Sequence, residues 1–401
     1  MAKSLNTRLI HAGEHAPSAQ GYTPTSLPVH ASSTFFYPTL DALEAAFEKG
    51  GENVTYARHG NPTTNAFETL MADVEGGRGA VACGSGMSAI YLALLAACTP
   101  RGGLEPQPRR ILVSRDLYGA THKLLQVFFA AQGVEVRSCD LTNIEEAEAQ
   151  VAAFDPEVVL VEAISNPLLR VADIAALAEI AHEVDARLVV DATMATPILI
   201  QPLALAADIV VHSATKYLSG HGDAVGGVLV ARASLLSDTA RRYGILMGTL
   251  LGPFEAKLIM RGVKTLDLRV RRQCESALAI ADALAGHPKI ARVHYPGLAD
   301  HPQHTLAARQ FGGRFGGMLS IALADDSRAA AAAFMDRLTL ALPATSLGDI
   351  YTLVTYPPVS SHRDVSAEAR RAQGITDGLI RFSIGIEDAG DILDDILQAL
   401  G

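Results

Sequence analysis

The chain has 401 residues, 49% hydrophobic and 19% charged, with a formal net charge of −10. That length exceeds one simple core, so two or three domains are expected, and the acidic balance argues against a phosphate-backbone binder and therefore against nucleic acid. Aromatics make up only 5% and Trp is absent, which offers no stacking surface for carbohydrate or single-stranded nucleic acid.

Residues 1–60 read as an arm rather than a domain. The opening stretch MAKSLNTRLIHAGEH carries no apolar signal core and no apolar run reaches transmembrane length, so a cytoplasmic protein without membrane contact is expected. Pro24, Pro28 and Pro38 interrupt any long element, while Leu43, Ala46 and Phe47 mark one short amphipathic helix ending near Gly50-Gly51. An arm that cannot bury a core of its own is expected to pack on something else, such as a second subunit. It closes in Tyr56-Ala-Arg-His-Gly-Asn-Pro-Thr63, a polar turn that by itself reads as a solvated loop.

From residue 61 to 257 strand and helix patterns alternate. Apolar strand candidates are Ala80–Ala82, Ile111–Val113, Val158–Val161, Leu188–Val190, Ile209–Val211 and Val228–Val230, with helical spacing at Ile90–Ala97 and at Leu177, Ile180, Ala181 and Val184. The alternation predicts an α/β domain with a mostly parallel sheet and helices on both faces. Gly84-Ser-Gly-Met-Ser-Ala89 follows the first strand and opens a helix, a glycine turn whose backbone amides suit a phosphate. The same residues fit G-x-G-x-x-A, which raises a rival reading as a nicotinamide-dependent oxidoreductase. That rival wants an acid about 20 residues on, at the end of the next strand; Asp116 comes later, beyond a Pro/Gly/Arg-rich segment at 100–110. Tyr118, in Asp116-Leu-Tyr-Gly-Ala-Thr121, is as suited to packing as to stacking on a planar group.

Two more strands end in charge. Arg187-Leu-Val-Val-Asp191 ends in a carboxylate, and the run from Asp208 delivers Ser213, Thr215 and Lys216 into the glycine-rich Ser219-Gly-His-Gly-Asp223. An unpaired buried ammonium is costly, so Lys216 taken alone is either a strand-end lysine with a solvated head or an amine nucleophile able to lose its charge. Parallel strands ending in Asp191 and Lys216 place an acid and an amine on one sheet edge, where open α/β sheets bind ligands. Pyridoxal 5'-phosphate needs that pair: a lysine for its aldehyde and a carboxylate for its pyridinium nitrogen.

Residues 258–401 change character and predict a smaller α+β domain. Leu268–Arg272 leads into a helix through Ala277, Ile280 and Leu284, stopped at Gly286 and Pro288, and the alanines at 329–333 read as helix. Strands are expected at Met318–Ile321 and Ile380–Ile384. The last helix carries Ile392, Leu393, Ile396, Leu397 and Leu400 on one face, with Asp391 as its expected cap. Arg381 lies inside a strand pattern, where a charge calls for an anionic partner; a substrate carboxylate held bidentately would be one. Cys83, Cys98, Cys139 and Cys274 lack C-x-x-C spacing, and His212, His221, His301 and His304 lack metal-ligand pairing, so reduced thiols, structural histidines and no metal site are expected.

These motifs together resemble the Cys/Met-metabolism group of pyridoxal-phosphate enzymes, which includes cystathionine synthases and lyases, methionine γ-lyase and acylhomoserine sulfhydrylases. The resemblance runs through Thr34-Phe35, Tyr56–Thr63, Gly84–Ile90, Leu117–Thr121, Asn166-Pro167, Asp191 and Ser213–Asp223, and on through Arg261–Leu266, Tyr295–Leu298, Phe315–Met318, Ser346–Gly348 and Leu379–Gly385. It implies the fold-type-I PLP-dependent transferase architecture, a mostly parallel seven-stranded sheet plus the smaller C-terminal domain, in a homotetramer built as a dimer of dimers with shared active sites. It implies that Tyr56 and Arg58 reach the phosphate of the neighbouring subunit's cofactor, and that backbone groups of Gly86 and Met87 with the hydroxyls of Ser213 and Thr215 complete the phosphate cup. Tyr118 would stack on the ring, Asp191 would pair with its nitrogen, and Lys216 would bond to its aldehyde carbon. Arg381, Ser346 and Asn166 would hold the α-carboxylate of a small amino-acid substrate.

Departures from the family pattern bear on the substrate. Ala192 stands where Asn usually follows the cofactor aspartate, and Ala120 where methionine γ-lyases often have cysteine. Asp349-Ile-Tyr351 replaces a stretch whose glutamate, in enzymes acting on cystathionine, greets a distal ammonium, and Tyr356–His362 replaces the usual His-Pro-Ala-x-x-Thr-His. The reaction expected is γ-elimination from a methionine- or homoserine-like amino acid to a 2-oxo acid, ammonia and a thiol. Lys216 would shuttle protons, Tyr118 would protonate the departing group, and Tyr351 would meet the side chain. The alternatives are γ-replacement, as in acylhomoserine sulfhydrylase or cystathionine γ-synthase, and cystathionine cleavage.

Overall fold

The computed structural model describes residues 3–14, 23–48, 54–99, 110–363 and 365–401. The larger sheet is built from β1 (Gly79–Cys83), β2 (Arg110–Ser114), β3 (Glu135–Cys139), β4 (Val158–Glu162), β5 (Arg187–Asp191), β6 (Ile209–His212) and β7 (Gly227–Ala231). Its order is β1-β7-β6-β5-β4-β2-β3. The β2–β3, β2–β4, β4–β5 and β5–β6 pairs are parallel, and β7 runs antiparallel to both β1 and β6. The central strands are runs of aliphatic residues because both faces are covered. Val159, Val161, Leu188, Val190 and Val210 share one core with Phe67, Leu70 and Leu177 from flanking helices. Val158, Leu160, Val189, Ile209 and Val211 share another with Leu92 and Leu94 of the helix Gly86–Ala97.

Every strand expected in this region is present. The unexpected one is β3, whose sequence Glu-Val-Arg-Ser-Cys has no apolar run: it is an edge strand, paired only to β2 and mostly solvent-facing, so hydrophobic patterning is silent there.

A second sheet follows, with β8 (Ile290–His294), β9 (Met318–Leu323), β10 (Leu342–Pro343), β11 (Leu353–Thr355) and β12 (Leu379–Ser383) in the order β10-β11-β12-β9-β8. It packs its apolar face on the helices Leu266–Leu284 and Ala389–Leu400. The last helix starts one turn earlier than expected: Asp388, not Asp391, is the cap, its carboxylate accepting the Gly390 amide at 2.8 Å. The arm's short helix spans Leu40–Glu48; the Gly50-Gly51 stop and nearly all of the 100–110 segment lie outside the described residues. No helix among the described residues is long and apolar enough to cross a membrane.

Candidate active site

The carboxyl ends of β1, β4, β5 and β6, with the loop after β2, meet along one edge of the large sheet. Glu162 and Asp191 are the last residues of β4 and β5, Tyr118 follows β2, Lys216 follows β6, and Gly86 opens the helix after β1. Arg381 comes from the middle of β12 in the other sheet. These side chains line one cleft of about 510 Å³, a size suited to a small ligand.

At one end of the cleft, Ser85 caps the twelve-residue helix Gly86–Ala97, its hydroxyl accepting the Ser88 amide at 3.1 Å. The first amides of that helix, at Gly86 and Met87, have no carbonyl in a preceding turn to bond. Gly86 is required by contact: a Cβ there would sit 2.7 Å from Cβ of Ser213. The turn after β6 is held by the Ser213 amide donating to Thr193 Oγ1 at 2.7 Å and by Thr215 Oγ1, which accepts the Gly226 amide at 3.0 Å. Free amides plus two adjacent hydroxyls form an anion cup.

In the middle lies Lys216, whose Nζ donates to Ser346 Oγ at 2.9 Å. Burial, and secondarily the Arg381 cation, pull its pKa below the ordinary lysine range, which favours the neutral, nucleophilic amine. Asp191 is raised by burial, against which the Thr193 hydroxyl and amide favour its charged form; the amide donates to Oδ1 at 2.9 Å. Directly across the β4–β5 ladder from it stands Glu162, pushed well above the carboxylate range by burial and by Asp191. Two carboxyls side by side in a dry site resist joint ionisation.

The far end is organised by Arg381, which is 4% exposed. It donates to Asn166 Oδ1 at 2.7 Å and to the Ser346 carbonyl at 3.0 Å, while its Nε is buried without a partner. Burial draws its pKa down to about 10. A guanidinium in this state, held by neutral acceptors and facing a cleft, is poised for an incoming anion.

The structure therefore gathers Gly86, Met87, Tyr118, Asn166, Asp191, Ser213, Thr215, Lys216, Ser346 and Arg381. Tyr56 and Arg58 stay outside this cleft: Arg58 donates to the Ile245 carbonyl at 2.7 Å and lies 5.6 Å from the Tyr56 ring. Tyr351 also stays outside it: Tyr351 is 52% exposed, and its loop is pinned by the Ile350 amide to the Gly220 carbonyl and by the Ile386 amide to the Ile350 carbonyl. The residues that sequence reasoning passed over are Glu162, Thr193, Thr355, Ser360, Ser361 and Arg363. Glu162 had a signal, a charge closing an all-aliphatic strand like Asp191; Arg363 sits in an irregular loop that no periodicity reaches.

The sequence profile described as "Cys/Met metabolism PLP-dependent enzyme" matches residues 6–401. The chain belongs to that family. It is 40% identical to an L-methionine gamma-lyase of Pseudomonas putida over 396 residues, covering 98% of this chain and 96% of the relative. A cystathionine gamma-synthase of Mycobacterium bovis is likewise 40% identical over 397 residues, covering 98% and 96%. Among solved structures, the cystathionine gamma synthase of Xanthomonas oryzae pv. oryzae, in complex with aminoacrylate and cysteine, superposes with a TM-score of 0.91 at 38% identity, covering 100% of this chain and 98% of that one. This membership makes the protein a pyridoxal-phosphate-dependent enzyme. The cleft fits that cofactor: an anion cup, a buried amine of lowered pKa and a carboxyl at a strand end stand in one cavity, and the buried Arg381 Nε is left for a carboxylate.

Proposed function

We propose that the protein is a carbon–sulfur (or carbon–oxygen) lyase acting by γ-elimination on a methionine- or homoserine-like amino acid, with release of a 2-oxo acid, ammonia and a thiol. The observation that carries this reading is the charge of the substrate end. Among the described residues the carboxylates lining the cleft are Glu162 and Asp191, both at the strand edge. Asp349, the acid nearest the position where cystathionine enzymes place a glutamate, is buried, faces Arg269 and does not line the cleft. Arg363 does line it. Among the described residues no carboxylate beyond that strand edge is placed to meet a distal ammonium, whereas a neutral thioether or ester tail brings no charge to desolvate.

The proposed roles follow from position. The amides of Gly86 and Met87 with Ser213 and Thr215 would hold the phosphate, Asp191 would pair with the ring nitrogen, and Tyr118 would stack on the ring. Arg381, oriented by Asn166 and Ser346, takes the α-carboxylate and so fixes the Cα–H bond relative to Lys216. When bound, the cofactor supplies an electron sink for the charge left on Cα. The Lys216 amine, whose lowered pKa favours the neutral form, would accept the Cα proton and then relay a Cβ proton so that the γ-substituent can leave. The Tyr118 hydroxyl would protonate the departing group, and one water is consumed as the remaining carbon skeleton is released as 2-oxo acid and ammonia. Residues 61–257 would hold the cofactor and residues 258–401 would close over the substrate.

The oligomer proposed is a homotetramer with Tyr56 and Arg58 completing a neighbour's phosphate cup, in the cytoplasm. In support, both residues lie away from their own cleft, and Phe36, Leu40 and Phe47 of the arm are 94%, 76% and 62% exposed, apolar surface that calls for a cover. The test of the reaction is one panel of methionine, homocysteine, cystathionine, cysteine and O-acetylhomoserine, with and without sulfide, scored for 2-oxo acid and thioether. Methionine or an O-acylhomoserine should yield 2-oxo acid. Strong cystathionine cleavage with little action on methionine would overturn the preference, and turnover of none would refute elimination.

A further inference from the structure

Glu162 takes no part in the chemistry above, yet it sits at the sheet edge between the loop after β2 and the loop after β4. It closes β4, is 8% exposed, and faces Asp191 across the parallel ladder. Its Oε1 accepts the backbone amide of Tyr118 at 2.6 Å, and the backbone amide of Asn166 bonds to the same carboxyl. Asn166 in turn holds Arg381 through Oδ1 at 2.7 Å, and the carbonyl of Ser346, which receives Lys216 on its hydroxyl, holds the other arm of that guanidinium. The Arg170–Asp116 ion pair at 3.4 Å is a second link between the loop after β2 and the loop after β4.

We propose that Glu162 is a positioning residue that fixes the Tyr118 loop and the Asn166–Arg381 clamp together, so that cofactor ring and substrate carboxylate are held in one register. The argument is geometric. Tyr118 is 42% exposed, so its ring is not wedged in place by packing, and the 2.6 Å bond to its amide is the local tether. On the other side of Tyr118, the loop has no slack: a Cβ on Gly119 would lie 2.5 Å from the Ser361 carbonyl. Asn166 reaches Arg381 from a loop that bears no helix or strand. The Leu169 amide on the Ser165 carbonyl at 3.1 Å and the Ser320 hydroxyl on the Pro167 carbonyl at 2.7 Å hold that loop's other residues, and the Glu162 carboxyl adds a hold at the Asn166 amide itself. The role is placement and not charge, so an amide oxygen at position 162 can serve in part.

The test compares Glu162→Gln and Glu162→Ala. Cofactor affinity is read by titrating the apoenzyme with pyridoxal phosphate, and KM and kcat are read with whichever amino acid the panel selects. Glu162→Ala should weaken cofactor binding about tenfold and raise KM by a similar factor, the size of one lost buried hydrogen bond at each end. Glu162→Gln should stay within about threefold of wild type in cofactor affinity, because its oxygen still accepts the Tyr118 amide. In a double-mutant cycle, Glu162→Ala added to Asn166→Ala should raise KM little further, since both act on Arg381. Additive effects in that cycle, a Gln variant as damaged in cofactor binding as the Ala variant, or a folded Ala variant with wild-type affinity and KM would each overturn the proposal. Should Glu162→Ala fail to fold, hydrogen exchange on the wild-type apoenzyme decides: the Tyr118 amide must be protected despite its exposed ring, and exchange at the rate of a free loop overturns the tether.

Discussion

Replacing Arg381 by Met should separate catalysis from stability. The guanidinium is 4% exposed, has no carboxylate partner among the described residues, and is held down to about 10 by burial. Against the usual 12.5, that depression corresponds to a burial penalty on the order of 3 kcal/mol. A Met of similar length relieves the penalty but strands two acceptors, Asn166 Oδ1 and the Ser346 carbonyl, at about 1 kcal/mol each. The terms nearly offset, leaving stability within about 1 kcal/mol of wild type and the melting temperature of the apoenzyme within about 2 °C. Activity should behave differently. If Arg381 makes two charge-assisted bonds to the α-carboxylate, each of about 2 kcal/mol, kcat/KM should fall about a thousandfold, mostly in KM. Arg381→Lys keeps the charge but not the fork and should lose about one order of magnitude less. Differential scanning fluorimetry and initial rates measure the two effects. A variant that melts well below wild type while keeping its KM would show that the arginine is structural and the carboxylate reading wrong.

Two further outcomes are specific to this chain. Mixing Arg58→Ala with Lys216→Ala subunits under conditions of demonstrated exchange should restore activity through hybrid dimers; no recovery would mean that the arm serves its own subunit or none. Removing the Arg381 charge also removes the second cause of the lowered Lys216 pKa, so in Arg381→Met the pH dependence of cofactor capture by the apoenzyme should move to higher pH; a shift to lower pH, or none, would show the two cations do not interact.

How much of this was legible in the residues depends on how each one is held. Asp191 and Lys216 could be read because a charge at the end of an aliphatic strand is conspicuous and parallel topology fixes which edge it reaches. Arg381 could be read for the same reason, a charge inside a buried strand. The position of Tyr351 outside the cleft could not be read, because it depends on loop hydrogen bonds from Ile350 to Gly220 and Ile386, partners more than thirty residues away that no local pattern encodes. Asp388 was passed over for Asp391 because both are acids within one turn of the same apolar face, and only the backbone decides which begins the helix. Arg363 and the serines beside it lie in a segment with neither period, so their presence on the cleft wall is a purely tertiary fact.

The Ala192 departure is answered by its neighbour, and this leads to the sharpest expectation about the cofactor end. Ala192 is fully buried, its amide bonded to the Val211 carbonyl at 2.9 Å, so it offers no side-chain donor to Asp191. Thr193 supplies what is missing. Its amide and hydroxyl both favour the charged form of Asp191, and its Oγ1 also accepts the Ser213 amide at 2.7 Å. One residue thus links Asp191, proposed to meet the ring nitrogen, to the turn after β6 proposed to hold the phosphate. Thr193→Val keeps the shape but removes that oxygen, leaving the Ser213 amide without its acceptor, a loss of about 1–3 kcal/mol of stability. Asp191 then loses a stabilising donor, and its pKa, already raised, rises further. If Asp191 takes the proposed role, in which its ionised carboxylate pairs with a protonated ring nitrogen, cofactor affinity should fall about tenfold near neutrality and recover as the pH is raised. Thr193→Ser, which retains the hydroxyl, should behave as wild type. A Val variant whose cofactor affinity is unchanged, or reduced equally at all pH values, would show that Asp191 is held by its backbone contacts alone and that the hydroxyl bridge is incidental.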